Sequence, residues 1–229
     1  MKKTGFYYLL ILLFIGMAEK LTAQDWANLA KYETENSQLP PKQSGEKRIV
    51  FMGDSITEFW SQIQPIFFAN TSYINRGISG QTTPQMLIRF RPDVLNLHPD
   101  VVVILAGVND IAGNSGPTTN DAIFGNIISM VELAKANAIK VILCSVLPAN
   151  NFYWRPNEKA AETIIQLNQL IQSYAKEHDI PYVDYHSAMA DAKNGLPKEF
   201  SEDSVHPNLK GYQTMQPLLE KAVQDILSK

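Results

Sequence analysis

Short apolar runs alternate with longer segments of helical spacing along most of the chain. The runs predict five strands, at residues 48–52, 73–75, 101–106, 140–145 and 182–184. The segments between and after them predict helices at residues 57–68, 83–96, 121–137, 157–177 and 208–227. Residues 101–105 and 141–143 are apolar at every position, which is typical of parallel strands covered by helices on both faces. The pattern therefore predicts an α/β fold, a three-layer α/β/α sandwich around a five-stranded parallel sheet.

The N-terminal residues have the pattern of a secretory signal. Lys2 and Lys3 precede an apolar run at residues 6–17, and a short segment follows up to Gln24. A run of about a dozen residues is shorter than the roughly 20 that a membrane-spanning helix needs. We therefore expect cleavage near Ala23 or Gln24, and a secreted or periplasmic protein without a stable membrane anchor. The predicted parts are a signal peptide at 1–24, a polar N-terminal lead-in with a helical turn at 25–46, and one domain at 47–229.

Composition narrows the possible partners and cofactors. Hydrophobic residues make up 45% of the chain, and the formal net charge is −3. No cluster of lysine and arginine forms the basic face that a nucleic-acid backbone requires, so nucleic acid is not an expected partner. No His-x-x-x-His or paired-cysteine spacing is present, and we expect neither a metal nor another cofactor. The one cysteine, Cys144, lies in an apolar run and is expected to be a small buried hydrophobe.

Unusual loops follow the predicted strands. Loops that contain glycine, at residues 53–57, 77–82 and 107–110, follow the first three strands, and residues 148–155 follow the fourth. Ligands of open parallel sheets bind beyond the carboxyl ends of the strands, and glycine leaves backbone N–H groups open to an anion. Ser55 is expected at the start of a helix, where its hydroxyl is exposed and developing negative charge is favoured. We therefore interpret Ser55 as a candidate nucleophile.

A serine nucleophile needs a base, and the chain has four histidines. His98 precedes the third strand and so lies at the opposite end of the sheet, while His178 ends a helix. Both are expected at the surface. His186 follows the fifth strand at the correct end, close to Asp184, and is a competitor for the role of base.

His206 is better placed than His186. It belongs to Asp203-Ser204-Val205-His206-Pro207. A carboxylate three residues before an imidazole can bond one ring nitrogen and leave the other for Ser55. The alternative is that this loop only caps the helix that follows it.

Four sequence blocks together resemble the SGNH, or GDSL, hydrolase superfamily, in the same order. The blocks are Gly53-Asp54-Ser55, Gly80, Gly107-Val108-Asn109-Asp110 and Asp203-Ser204-Val205-His206. The resemblance covers nearly all of the mature chain. It implies the SGNH hydrolase fold, which is a flavodoxin-like sandwich, and a serine hydrolase that acts on ester bonds without a cofactor.

The resemblance also implies the role of each site residue. Ser55 is the nucleophile, His206 the general base and Asp203 its orienting acid. The oxyanion hole consists of the backbone N–H groups of Ser55 and Gly80 and the side-chain amide of Asn109. Such preorganised donors stabilise the negative charge of a tetrahedral intermediate by roughly 3 to 4 kcal/mol each.

Two further segments resemble one branch of the superfamily. Residues 51–60 and 75–82 are similar to acetylhydrolases related to platelet-activating-factor acetylhydrolase and to bacterial lysophospholipase-like esterases. Where those acetylhydrolases tend to have Asp, this chain has Gln81. Asp54 and Asp110 are expected to hold loops by Asx-type bonds.

The substrate is predicted only in outline. Phe152, Tyr153 and Trp154 follow the fourth strand and either reach over the site or cover the sheet edge, and Trp60 is a further candidate for a residue near the site. We expect removal of a short acyl group, such as acetyl, from a small-molecule or glycan ester or a lipid-derived alcohol.

The alternatives are a lysophospholipase-like or thioesterase-like lipid acylhydrolase, a catalytically silent carbohydrate-binding module, and a flavin or nucleotide domain. No Gly-x-Gly-x-x-Gly loop supports the last of these. The sequence predicts no oligomeric state.

Overall fold

A parallel sheet of five strands forms the centre of the structure, a computed structural model that describes residues 25–69, 72–157 and 159–228. The predicted signal peptide lies outside the described residues. The strands are β1 (Ile49–Gly53), β2 (Tyr73–Gly77), β3 (Val101–Leu105), β4 (Lys140–Cys144) and β5 (Tyr182–Val183). Their order in the sheet is β2-β1-β3-β4-β5, and each neighbouring pair is parallel. The predicted strands and fold class are confirmed, with strand ends displaced by one or two residues.

Helices flank the sheet. They are α1 (Glu33–Gln38), α2 (Ser55–Ile63), α3 (Pro65–Phe68), α4 (Thr83–Asp93), α5 (Val108–Ile111), α6 (Asn120–Ala136), α7 (Ala160–Glu177), α8 (Tyr185–Met189) and α9 (Leu209–Leu227). Helices α4, α6 and α7 pack side by side, and α2 packs against α9 through the stacked rings of Trp60 and Tyr212. No helix in the described part of the chain is long and apolar enough to span a membrane.

Several predicted helix boundaries were wrong. The helix expected at 57–68 begins at Ser55 and is interrupted after Ile63, because Pro65 lacks an N–H group and starts the short helix α3 instead. The helix expected at 83–96 ends at Asp93, directly after Pro92, and a 3-10 turn follows. The helix expected at 157–177 begins at Ala160. The short helices α5 and α8 were not predicted, because one turn is too short to show a helical period.

Trp60, which the sequence offered as a candidate for a residue near the site, is a core residue. Its side chain is 2% exposed and stacks on Phe67 and on Tyr212. Cys144 is buried, as predicted. The predicted helical turn in the lead-in is a 3-10 turn, Leu29–Tyr32, which runs directly into α1.

The sheet brings three loops to one place. Strand β1 lies between β2 and β3, with Gly53 in register with Gly77 on one side and with Leu105 on the other. The chain leaves β1 towards β2 and later returns to the other side as β3, which makes the carboxyl end of β1 the switch point of the sheet. The loops after β1, β2 and β3 therefore begin side by side there.

Candidate active site

Ser55 is the first residue of α2. The preceding Asp54 caps the helix, because its carboxylate oxygen accepts a hydrogen bond from the N–H of Ile56 at 2.9 Å. This cap places the Ser55 hydroxyl at the carboxyl end of β1, where its Oγ lies 2.9 Å from Nε2 of His206. The two residues are 151 positions apart in sequence, so this contact is produced by the fold.

Asp203 holds the other side of the His206 ring. Its Oδ2 lies 2.6 Å from Nδ1 of His206, and its Oδ1 accepts from the backbone N–H groups of Val205 and His206 at 2.9 and 2.7 Å. Ser204 has a φ of 66°, and this left-handed residue makes the tight turn that allows these bonds. Partial burial raises the pKa of the Asp203 carboxyl, but the hydrogen bonds from His206 and Val205 outweigh it and hold the pKa below its ordinary value. Asp203 is therefore ionised and acts as a fixed acceptor.

The expected oxyanion donors lie on the three loops that begin side by side at the carboxyl end of β1. Within the described residues, the backbone N–H groups of Ser55 and Gly80 donate to no acceptor. Gly80 has a φ of 77°, a left-handed conformation that favours glycine. The Asn109 side chain lies on α5 after β3 and is almost fully buried, with its Nδ2 3.1 Å from the carbonyl oxygen of Gln81. The loops after β1, β2 and β3 thus each carry one of the expected donors.

Asp54 makes the expected Asx-type bond, to the N–H of Ile56, whereas Asp110 supports its loop by bonds to a distant helix and not by an Asx-type bond. Asp110 accepts from the backbone N–H and the hydroxyl of Thr83, which ties the loop after β3 to the start of α4. Burial raises the pKa of Asp110 to about 6. Asp54 is fully buried, and its pKa is raised to about 7, mainly by burial, with the Asp110 carboxylate adding to the shift.

The other three histidines stand apart from Ser55. His98 and His178 are exposed, as predicted, and His178 packs against the Tyr174 ring. His186 is partly buried, its backbone N–H donates to the Ser145 hydroxyl, and burial lowers the pKa of its ring. The geometry resolves the competition between His186 and His206 in favour of His206, because only His206 is paired with Ser55.

The three aromatic residues of the loop after β4 divide between the two roles that the sequence allowed, which were covering the sheet and reaching the site. Phe152 is fully buried and anchors the loop, whereas Tyr153 and Trp154 are exposed. The Trp154 ring lies near the ring of His206, with centroids 6.4 Å apart and planes at 28°, and Phe59 packs on His206 from 5.4 Å. Aromatic rings therefore flank the His206 side of the site.

One residue of the site was missed from the sequence. Asn114 donates through Nδ2 to Oδ1 of Asn109 at 2.8 Å, and its own Oδ1 accepts from the indole N–H of Trp154 at 3.0 Å. It lies five positions after Asn109 in an irregular loop, and no periodicity or motif marks it. In the described residues no group of three or more His, Cys, Asp or Glu side chains could hold a metal ion.

Comparison with known proteins identifies the family. The model of the GDSL-like lipase/acylhydrolase family matches residues 51–214, from β1 into α9 and across Ser55, Asn109 and His206. The chain belongs to this family. The crystal structure of a GDSL-like lipase from Bacteroides thetaiotaomicron is 49% identical, covers 87% of this chain and 98% of its own, and has a TM-score of 0.86. The resemblance to GDSL hydrolases seen in the sequence blocks is confirmed.

Two curated relatives of this GDSL protein have named activities. An acetylxylan esterase of Xylanibacter ruminicola is 24% identical over 222 residues, which is 81% of this chain and 45% of the relative. A protein of Escherichia coli strain K12 named thioesterase 1/protease 1/lysophospholipase L1 is 28% identical over 161 residues, 70% of this chain and 71% of the relative. The chain spans about half the length of two curated relatives that it matches, at 59% and 45%.

Proposed function

We propose that this GDSL protein is a serine esterase that cleaves carboxylic esters through an acyl-serine intermediate. The observation that carries the proposal is the hydrogen-bonded series of Ser55 Oγ, the two ring nitrogens of His206 and Asp203 Oδ2, at 2.9 and 2.6 Å. Each member has the partner that nucleophilic catalysis needs, since the acid fixes the base and the base faces the nucleophile.

The proposed reaction has two steps. Ser55 Oγ attacks the ester carbonyl carbon while Nε2 of His206 takes the hydroxyl proton, and the carbonyl oxygen becomes an oxyanion near the N–H groups of Ser55 and Gly80 and the amide of Asn109. The intermediate collapses, and His206 gives its proton to the departing alcohol. A water molecule then attacks the acyl-serine, His206 takes its proton and returns it to Ser55, and the free acid leaves.

The proposed substrate is a short acyl ester, such as an acetyl ester, on a glycan. Two curated relatives are named acetylxylan esterase, one from Xylanibacter ruminicola and one from Geobacillus stearothermophilus. The exposed ring of Trp154 beside His206 adds an aromatic face that suits a sugar ring. The relative named thioesterase and lysophospholipase supports a second candidate, a lipid acylhydrolase.

The test is hydrolysis of p-nitrophenyl acetate, butyrate and octanoate by residues 25–229 and by the Ser55→Ala variant. We expect the variant to lose nearly all turnover, and the parent to favour acetate. Ser129→Ala is the matched control, because among the described residues this exposed hydroxyl on α6 bonds the carbonyl oxygen of Gly125 and no other group. Faster turnover of octanoate contradicts the acetyl proposal and favours the lipid acylhydrolase. Equally slow hydrolysis by the parent and Ser55→Ala contradicts the esterase proposal and favours a silent carbohydrate-binding module.

We also propose that residues 1–24 direct export and are then removed. The basic residues followed by a short apolar run support this. The intact mass of protein recovered from the periplasm or medium tests it, and a mass that retains residues 1–24 contradicts it.

A further inference from the structure

Four polar groups form a directed series of hydrogen bonds from the aromatic loop to the oxyanion site. The indole N–H of Trp154 donates to Oδ1 of Asn114 at 3.0 Å. Nδ2 of Asn114 donates to Oδ1 of Asn109 at 2.8 Å and approaches the carbonyl oxygen of Gly80 at 3.3 Å. Nδ2 of Asn109 donates to the carbonyl oxygen of Gln81 at 3.1 Å, which leaves its second hydrogen for a ligand.

The direction of this series is fixed by chemistry. An indole N–H can only donate and a backbone carbonyl can only accept, whereas an asparagine amide can turn over and exchange its oxygen and nitrogen. Trp154 requires the oxygen of Asn114 on its side, so the NH₂ group of Asn114 must face Asn109. Asn109 must then present its oxygen to Asn114 and its NH₂ group to Gln81 and to the space beside Ser55.

The orientation matters because the two ends of the Asn109 amide have opposite effects on the reaction. Its NH₂ group stabilises an oxyanion, and its oxygen in the same place would repel it. Asn109 is almost fully buried, but Asn114 is exposed, and its bonds therefore compete with water. A ligand that covers Trp154 excludes that water and strengthens the series.

We propose that Trp154 is both the platform for a pyranose ring in the substrate and, through Asn114, a positioning residue for the Asn109 amide. This inference rests on the proposed esterase function and adds the coupling of Trp154 to the Asn109 amide. The Trp154 ring lies 6.4 Å from the ring of His206, the residue that must protonate the departing alcohol. A sugar alcohol stacked on the indole therefore lies next to His206, which donates the proton when the alcohol departs.

The test measures kcat and KM with two acetyl esters. Ethyl acetate in a pH-stat carries no ring, and peracetylated methyl β-xylopyranoside carries a pyranose. Rates are expressed per active site titrated with a fluorophosphonate, so that loss of folded protein does not count as loss of kcat.

The Asn114→Ala variant is expected to lose kcat about tenfold on both esters with little change in KM, part of the roughly 10²–10³-fold effect of removing an oxyanion donor outright. Trp154→Phe keeps an aromatic face but loses the N–H group, and it should lower kcat on both esters. Trp154→Ala should also raise KM for the xyloside alone. Trp26→Phe, at an exposed tryptophan in the lead-in, is the matched control and should leave both constants unchanged.

A double variant separates coupling from general loosening of the loop. If Trp154 acts on kcat through Asn114, adding Trp154→Phe to Asn114→Ala should lower kcat no further. Wild-type kcat in both single variants, or an additive loss in the double variant, overturns the positioning role. An unchanged xyloside KM in Trp154→Ala overturns the platform. Failure of the esterase proposal has a different signature, which is turnover by the parent protein that does not depend on Ser55.

Discussion

The two ring nitrogens of His206 have different partners, and this asymmetry decides the chemistry of the site. Asp203 accepts at Nδ1, so the proton of the neutral ring is held on that side and Nε2 is left with a lone pair for the Ser55 hydroxyl. The sequence singled out these three residues because Ser55 follows a recognisable strand and Asp203 stands three positions before His206, and their catalytic roles stay a prediction. It could not give the left-handed turn at Ser204 that brings carboxylate and ring together.

Replacing Asp203 with asparagine tests this asymmetry. The amide can donate to Nδ1, which favours the tautomer whose Nε2 carries the proton and cannot accept from Ser55. We expect kcat for p-nitrophenyl acetate to fall by about 10³–10⁴-fold with KM little changed, as expected for the loss of a correctly oriented base. Asp225→Asn, at an exposed carboxylate on α9, should keep full activity. A fall of less than tenfold in Asp203→Asn argues against this role for Asp203.

The buried carboxyl of Asp54 links stability to pH. Burial raises its pKa in the folded protein to about 7, above the value of 3.8 expected in the unfolded chain. The folded state therefore binds the proton more tightly, and the stability that this supplies is complete below pH 3.8 and lost as the pH rises towards 7. Asp54→Asn keeps an oxygen for the Ile56 N–H and carries no charge. We expect the Tm of Asp54→Asn minus that of the parent to be larger at pH 7.5 than at pH 4.5. A difference in Tm that does not change with pH contradicts this.

At the scale of elements, helix α4 ties the end of β1 to the loop after β2. Arg89 is fully buried, donates to the carbonyl oxygen of Gly53 at 2.9 Å, hydrogen-bonds the side-chain oxygen of Gln81 and pairs with Asp93 at 3.1 Å. Gln81 in turn donates to the carbonyl oxygen of Ala27 in the lead-in at 2.7 Å. An amide at position 81 can serve both partners, since it accepts from the arginine and donates to the carbonyl, whereas an ionised Asp could only accept.

Removing the Arg89 guanidinium should destabilise the whole fold. The Asp93 side chain is 1% exposed, and Arg89→Ala leaves its charge buried without its ion-pair partner, which costs about 3–5 kcal/mol in the free energy of unfolding. Urea denaturation measures this. Lys221→Ala removes an ion pair of the same i,i+4 spacing with Asp225, at side chains that are 77% and 57% exposed, and should change stability little. Equal effects of the two substitutions contradict the account of the Arg89 network.

At the scale of the whole molecule, the sequence predicted the sheet better than the helix ends. Strands β1 and β3 are buried at every position, and a continuous apolar run predicts such strands directly. The break at Gln64 follows from Pro65, which a helical period does not register, and the core position of Trp60 depends on its stacking on Phe67 and Tyr212, which no local pattern shows. Asn114 was missed because Trp154 and Gly80, two of its partners, lie on other loops that only the fold brings to it.

The sheet also explains why an early serine and a late histidine can form one site. The carboxyl end of β1 is the switch point, and the loop that precedes α9 closes over it from the C-terminal end of the chain. Residues 25–38 pack behind this arrangement through bonds such as Lys31 to Glu58, whose carboxylate also accepts from the N–H and hydroxyl of Ser79 at 2.7 and 2.6 Å. The lead-in thus supports the loop that presents Gly80.

The most direct test of the central claim is to react the protein with a fluorophosphonate and locate the adduct by peptide mass spectrometry. We expect one adduct per folded chain on Ser55, because only the base-activated hydroxyl reacts. Protein that is denatured before the reagent is added should not be labelled, and labelling should be strongly slowed in His206→Ala. An unlabelled native protein, or an adduct on another serine, would contradict the assignment of Ser55 as the nucleophile.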